Sequence, residues 1–234
     1  GINYASNSSS SFFAPFGSIE YKLDKGLTLS AEFNPHAKFF SVTDFIKRNI
    51  YFNFGVTDNV FLEYNTDING MIRYEYEKLF SVSFTGGYSK MNNYFYFDDA
   101  VNPGKFDLKV LPEVKILSGG FNFIFYPAQY GYFFGELQFR NVKDQLENLV
   151  PYEPKVSASL TYGYNFNFGL GFKARYSLAS DVYTNILNSD KLNDYNDISL
   201  SLNYEIISGL KLTAGFQNIL NRTNFVWKQY QEKP

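Results

Sequence analysis

Few side chains in this sequence belong to the types that enzymes use for catalysis. His36 is the only histidine among the 234 residues, and no cysteine is present. We expect His36 at a strand rim, where a histidine-dependent nucleophile has no basis and no second imidazole helps to bind a metal. Asp98 and Asp99 are adjacent, so on a strand they point to opposite faces and form no catalytic pair. We therefore predict no catalytic residue, no metal site and no cofactor.

Two aromatic clusters are the best candidates for contacts with a ligand. The first is Tyr94-Phe95-Tyr96-Phe97, and the second comprises Phe225-Val226-Trp227 and Tyr230. Such rings stack on a sugar, a cofactor or a siderophore ring. The alternative is that they belong to a membrane-interface girdle or to hairpin packing, which is the commoner role. The residues predicted to bind a ligand are Tyr94, Tyr96, Phe225, Trp227 and Tyr230.

The elements that position these residues are predicted to be β-strands, because apolar and polar residues alternate along most of the chain. In the clearest example, polar residues at 199, 201, 203 and 205 separate Ile198, Leu200, Leu202, Tyr204 and Ile206. Turn formers divide the alternating stretches from one another. The pattern predicts about twelve strands, at 11–23, 27–40, 47–56, 59–68, 69–77, 79–98, 105–126, 130–142, 153–165, 169–180, 195–206 and 209–219.

The connections between these strands alternate in length. Short turns are predicted at 24–26, 57–59, 77–78, 127–129, 167 and 208–209, and longer polar segments around 41–47, 99–104, 142–153 and 181–194. Short turns on one rim and long loops on the other are typical of outer-membrane barrels. The strands at 79–98 and 105–126 exceed the roughly 9–11 residues that cross a bilayer, so they are predicted to project beyond it as a hairpin.

Composition favours a membrane barrel over a soluble β-sandwich. Aromatic residues make up 20% of the chain and charged residues 19%, below the roughly 25% that is usual in soluble domains. No apolar run reaches 18 residues, which excludes a transmembrane helix. The net charge of −2 lacks the basic footprint of a nucleic-acid-binding protein. We predict an all-β protein, a transmembrane antiparallel up-and-down β-barrel in the lipid of the bacterial outer membrane.

The last third of the sequence resembles the closing part of a TonB-dependent receptor barrel. Val150-Pro151-Tyr152-Glu153-Pro154 opens a strand, and Leu192 to Asp197 precedes the next one. The stretch Leu210 to Arg222 then contains Asn218-Ile219-Leu220-Asn221, which is similar to the Asn-Leu-Leu-Asn-like motif that ends the penultimate strand in that family. An aromatic-rich segment follows, with Phe225, Trp227 and Tyr230. The resemblance covers about 85 residues, and the rest of the chain only shares the general barrel pattern.

The resemblance implies a partial chain, residues 1–234 being one β-barrel domain without the plug domain and the last strand. An open sheet leaves unpaired backbone groups at both edges, which is costly in lipid. Further strands of a larger barrel, or closure of twelve to fourteen strands, would satisfy those groups. The implied function is a non-enzymatic transport receptor that binds a scarce solute at its outer loops and contacts a TonB-type energising protein through its plug. The alternative is a plugless porin-like or structural barrel that binds a partner protein.

Overall fold

The protein consists of strands that form one large antiparallel sheet. A computed structural model describes residues 1–7, 10–23, 25–53, 60–99, 104–127, 130–207 and 209–232. Within this part the chain has one short helix, and no helix long and apolar enough to cross a membrane. The elements are β1 (Ile2–Ser6), β2 (Ser11–Pro15), β3 (Gly17–Lys22), β4 (Leu27–Phe33), β5 (His36–Phe40), α1 (Val42–Arg48), β6 (Val60–Tyr76), β7 (Phe80–Asp99), β8 (Phe106–Phe125), β9 (Tyr132–Asp144), β10 (Val156–Asn165), β11 (Leu170–Ser180), β12 (Tyr195–Ile207), β13 (Leu210–Phe216), β14 (Asn224–Trp227) and β15 (Tyr230–Glu232).

The main sheet has eleven strands, and chain neighbours are sheet neighbours from β6 to β13. The order is β13-β12-β11-β10-β9-β8-β7-β6-β4-β3, and β5 pairs with the part of β6 beyond β4. Every pairing is antiparallel, as an up-and-down barrel requires. Among the described residues β3 and β13 do not pair with each other, so the sheet is open in this chain. β1 with β2 and β14 with β15 form two small separate hairpins.

The two faces of the sheet differ sharply in chemistry, and the register explains why. Residues on the outward face are apolar yet exposed, and Phe84, Leu137 and Leu212 are examples. The opposite face carries polar and charged side chains such as Asn122, Glu136 and Arg175. This alternation matches an apolar outer wall in lipid and a polar lumen. Glu63 is an exception to this alternation, because a bulge between Tyr64 and Thr66 shifts the register of β6 there.

The predicted rhythm of turns and loops is confirmed where the structure describes it. The strand ends at the short turns after β3, β6, β8 and β10 all lie on one rim, and the strand ends at the long connections after β5, β9 and β11 lie on the other. Gly26 and Gly131 sit in these turns with positive φ. A Cβ on either would collide with the backbone of the adjacent strand, so glycine is required there. The predicted turn at 57–59 and most of the predicted loop tip at 98–104 lie outside the described residues.

Several strand predictions need correction. Helix α1 occupies most of the loop predicted around 41–47 and the first two residues of the strand predicted at 47–56. The rest of that strand is wrong where the structure describes it, because residues 49–53 form only an isolated bridge at Phe52. The strands predicted at 59–68 and 69–77 are one strand of 17 residues, since no turn interrupts them. The segment 27–40 splits at Asn34-Pro35, because proline lacks the N–H that a continuous ladder needs. The predicted strand at 11–23 is likewise two strands, and β1, β14 and β15 were not predicted.

The opposite faces of β9 predict opposite responses to a charge. Leu137 points outward near the middle of the apolar band, and its neighbour Gln138 faces the lumen. We expect Leu137→Arg to lower the free energy of unfolding in lipid vesicles by about 2–4 kcal/mol, because the charge enters hydrocarbon. The matched variant Gln138→Arg should change it by less than about 1 kcal/mol. Denaturant unfolding of both variants measures the difference, and equal losses would contradict this assignment of the faces.

Candidate functional site

The largest buried apolar cluster lies beyond the long-loop rim, where strand ends and loops fold over one another. We call this region the cap. Its fully buried members include Phe45, Phe52 and Phe106, each no more than 1% exposed. The long strands β7 and β8 supply its central hairpin, which is paired up to Asp99 and Phe106. The predicted projecting hairpin is therefore confirmed, and it is the framework on which the cap is built.

Helix α1 closes one side of the cap. Its first turn is fixed by Asp44, whose carboxylate accepts hydrogen bonds from the backbone N–H and the hydroxyl of Ser41 at 2.9 and 2.8 Å. These bonds hold the pKa of Asp44 below its ordinary value. Phe45 then points inward, with its ring 5.0 Å from that of Phe95. The last turn carries Arg48, whose guanidinium lies 4.7 Å from the Phe95 ring, a cation–π distance.

The hairpin β14–β15 closes the other side. Trp227 packs on the rings of Phe97, Phe106 and Tyr152 at 5.5, 5.2 and 4.5 Å. Tyr230 stacks on Tyr51 at 3.4 Å, and its hydroxyl donates to the carbonyl of Gly104. A segment near the end of the chain therefore joins elements more than a hundred residues earlier in the sequence.

Lys228 forms ion pairs that connect this hairpin to the rest of the cap. Its ammonium lies 3.3 Å from Asp99 at the end of β7 and 2.8 Å from Asp190 in the loop between β11 and β12. The hydrogen bond from Lys228, followed by that from Thr184, lowers the pKa of Asp190. The side chains are about 40% exposed, so water screens the pairs and the aromatic packing holds most of the hairpin.

A partly buried polar network lies beside the aromatic rings. Tyr94 is 5% exposed, and its hydroxyl donates to Glu153 at 2.6 Å. The second carboxylate oxygen of Glu153 accepts a hydrogen bond from Arg140, also at 2.6 Å. Burial, and then the Glu153 charge, hold the pKa of Tyr94 well above its ordinary value, so this hydroxyl remains a donor. The network neutralises the Glu153 charge, because Arg140 supplies the opposite one.

A cavity of about 200 Å³ opens between the network and the rings. Most of its wall is aromatic, and its charged groups are one guanidinium and one carboxylate. The lining residues are Arg48, Phe95, Tyr96, Phe97, Pro151, Tyr152, Glu153 and Trp227. Because Glu153 is paired with Arg140 and no ion pair involves Arg48 within the described residues, the uncompensated charge beside the cavity is positive. The volume is below the roughly 300–1,000 Å³ of whole-ligand sites, so it suits one ring or one anionic group of a larger molecule.

The structure brings some of the predicted ligand residues together and separates others. Tyr96 and Trp227 both line the cavity, and Tyr230 packs on Phe106, as Trp227 does. Tyr94 is adjacent but buried, and its hydroxyl is engaged by Glu153. Phe225 is the second residue of β14 and does not line the cavity. A ligand role for these residues stays a prediction.

Sequence reasoning missed Arg48 and Glu153 as cavity residues. The signal for Arg48 was the capping pattern Ser41-Val42-Thr43-Asp44, which precedes an apolar run and indicates a helix start. Glu153 had no local signal, since its partners are 13 and 59 residues away. His36 stacks on Tyr64 at 4.1 Å near the rim. No group of three metal-ligating side chains occurs in the described ranges.

Comparison with known proteins finds the same fold in solved structures. The copper transporter OprC matches with a TM-score of 0.64 at 14% identity, over 92% of this chain and 35% of its own. FyuA, the ferric yersiniabactin uptake receptor of Yersinia pestis, gives 0.63 at 13% identity, over 93% and 34%. BauA, the ferric preacinetobactin receptor of Acinetobacter baumannii, gives 0.61 at 10%, over 91% and 32%. No protein-family model matches the sequence, and no curated protein matches it.

These similarities, with the sheet and its two faces, define the class as an outer-membrane β-barrel. Within that class the chain has the fold of part of a TonB-dependent receptor barrel, as the Asn218 to Asn221 motif had indicated. The chain spans about a third of the length of these receptors. The fold is that of bacterial outer-membrane barrels, and the similar structures are transporters and receptors rather than enzymes.

Acid should loosen the β14–β15 hairpin. The pKa of Asp190 is lowered in the folded state. Its pairing with Lys228 therefore stabilises the cap at pH values above 3.8, the ordinary pKa of an aspartate. This contribution is lost as the pH falls through the lower pKa of the folded state. We expect quenching of Trp227 fluorescence by acrylamide to rise below about pH 4, with Trp227→Phe defining the signal. Asp190→Asn should reduce this acid response, and Asp194→Asn, in the same loop, should preserve it. An identical response in all three would contradict the assignment.

Proposed function

We propose that the protein is part of an outer-membrane transport receptor of the TonB-dependent type, which binds a scarce solute in the cap and imports it through a plugged barrel. The observation that carries the proposal is the cap itself. A barrel wall needs no aromatic core beyond the membrane, yet here the loops build a folded region with a cavity. The position above the lumen suits capture of a solute from outside the cell.

The lumen wall supports a plugged barrel. A hollow of about 460 Å³ lies on the sheet where β4, β6, β7, β8 and β9 meet. Its polar side chains include Glu32, Asn122, Gln138 and Arg140. Donors, acceptors and charges of both signs suit a folded domain docked through hydrogen bonds and ion pairs. We infer that a plug domain packs here, and that a TonB-type energising protein acts through it.

The chemistry of the cavity suggests the kind of solute. Aromatic walls favour a planar ring, and Arg48 favours an anionic group beside it. The similar structures are named for ferric siderophores and copper. We propose that the solute is a metal chelate with anionic and planar groups, of which one group enters the cavity.

The test is uptake by cells that produce the full-length protein in a strain without other metal-chelate receptors. A panel of ferric siderophores and copper chelates labelled with radioactive metal identifies the solute. Energy-dependent uptake, abolished by a protonophore, would support the receptor. Steady ion conductance of the purified full-length protein in planar bilayers, with no energised uptake of any chelate, would instead indicate a plugless porin-like barrel.

Two neighbouring cations in α1 allow a matched comparison. Arg48 lines the cavity, and Lys47 is exposed in the same helical turn without lining it. We expect Arg48→Gln to weaken binding of the identified chelate at least tenfold, because a charge-assisted hydrogen bond is lost. Lys47→Gln should leave binding within twofold. Equal affinities of both variants, measured by titration calorimetry, would exclude the cavity as the solute site.

A further inference from the structure

Three lysines form a row on the outward face of the sheet. Lys90 on β7 is opposite Lys115 on β8, and Lys115 is opposite Lys143 on β9. All three point outward. Lys90 and Lys115 are each two residues from Tyr88 and Leu117, which are exposed on the apolar wall, and Lys143 is directly opposite Lys115. Adjacent strands lie about 4.8 Å apart, so the three side chains emerge within about 10 Å.

The charge of this row is not fully compensated by the chain. Like charges directly opposite on neighbouring strands are destabilising. Glu113 lies 2.8 Å from Lys90, and Glu147 lies 2.9 Å from Lys143. Lys115, between them, is exposed and has no carboxylate within ion-pair distance among the described residues. The centre of the row therefore carries an unbalanced positive charge with two more ammonium groups beside it.

The row lies where the apolar wall ends. An apolar band begins on the outward face two residues closer to the short-turn rim, at Tyr88 and Leu117. The band continues with Phe84 and Phe121. On the long-loop side the outward residues are Asn92 and Glu113. The long-loop rim of an outer-membrane barrel is the extracellular one, so the lysines lie at the depth of the headgroups of the outer leaflet.

We propose that Lys90, Lys115 and Lys143 bind the phosphate of a phosphorylated glycolipid in the outer leaflet. Lysine acts as a point charge that suits phosphate oxygens, and the row offers three such charges at one depth. The acyl chains of the same lipid then lie along the apolar band below. This surface is on the outer wall, separate from the cap cavity, so it does not depend on the proposed solute.

The experiment uses the full-length protein in detergent, titrated with bisphosphorylated lipid A and followed by native mass spectrometry. The matched variants are Lys115→Gln and Lys109→Gln, because Lys109 is an exposed lysine on the same strand, about 20 Å farther from the apolar band. We expect Lys115→Gln to weaken lipid A binding about fivefold, and Lys109→Gln to leave it unchanged. The triple variant at 90, 115 and 143 should lose phosphate-dependent binding, with heat-modifiable electrophoretic mobility confirming that it folds.

Dephosphorylated lipid A and phosphatidylglycerol complete the test. Dephosphorylated lipid A should bind the wild type and Lys115→Gln equally and more weakly than the phosphorylated form. Equal binding of both forms by the wild type, or unchanged binding in Lys115→Gln, would overturn the proposal. Equally tight binding of phosphatidylglycerol would overturn the glycolipid assignment and indicate a general site for anionic lipid. Chelate uptake should be unaffected in Lys115→Gln, which keeps this test separate from that of the receptor function.

Discussion

The requirement that backbone N–H and C=O groups find partners inside the membrane governs this structure. Lipid offers no hydrogen bonds, so each strand must be paired along both edges wherever it crosses. The unbroken antiparallel order from β6 to β13 meets that requirement for most of the sheet. Within the part of the chain that the structure describes, β3 and β13 end the main strand order, and β5 is paired along one edge. The same pairing fixes the register, and the register places apolar residues in lipid and polar residues in the lumen.

Beyond the membrane the requirement relaxes, and the chain uses the freedom to build the cap. Water satisfies backbone groups there, so a helix, irregular loops and a separate hairpin become possible. The driving force changes as well, because rings that would dissolve in lipid are now buried from water. Phe45, Phe52 and Phe106 are fully buried for this reason. Phe84, on the outward face of the main sheet, is instead 55% exposed, and in the membrane its ring faces lipid.

This difference explains which features could be predicted from the sequence. Strands within the membrane follow a period of two, so β7 to β12 were predicted to within about three residues. The helix at 42–48 was not predicted, because residues 41–47 were assigned to a long polar connection and the capping pair Ser41 and Asp44 was overlooked. Partners such as Arg140 and Glu153, or Trp227 and Phe97, are joined only by the folded loops. The aromatic clusters were visible as composition, but their assembly around one cavity depends on contacts between distant segments.

The cavity also has a consequence for how binding would be transmitted. Its walls come from α1, β7, the segment before β10 and the β14–β15 hairpin, four pieces that are far apart in the sequence. Glu153 contributes to the wall, and through Arg140 it reaches the lumen face of β9 next to the hollow. A group that enters the cavity therefore contacts a side chain one ion pair away from the surface where a plug would dock. The Arg140–Glu153–Tyr94 network is thus a contiguous hydrogen-bonded connection between the cavity and the lumen face of the sheet.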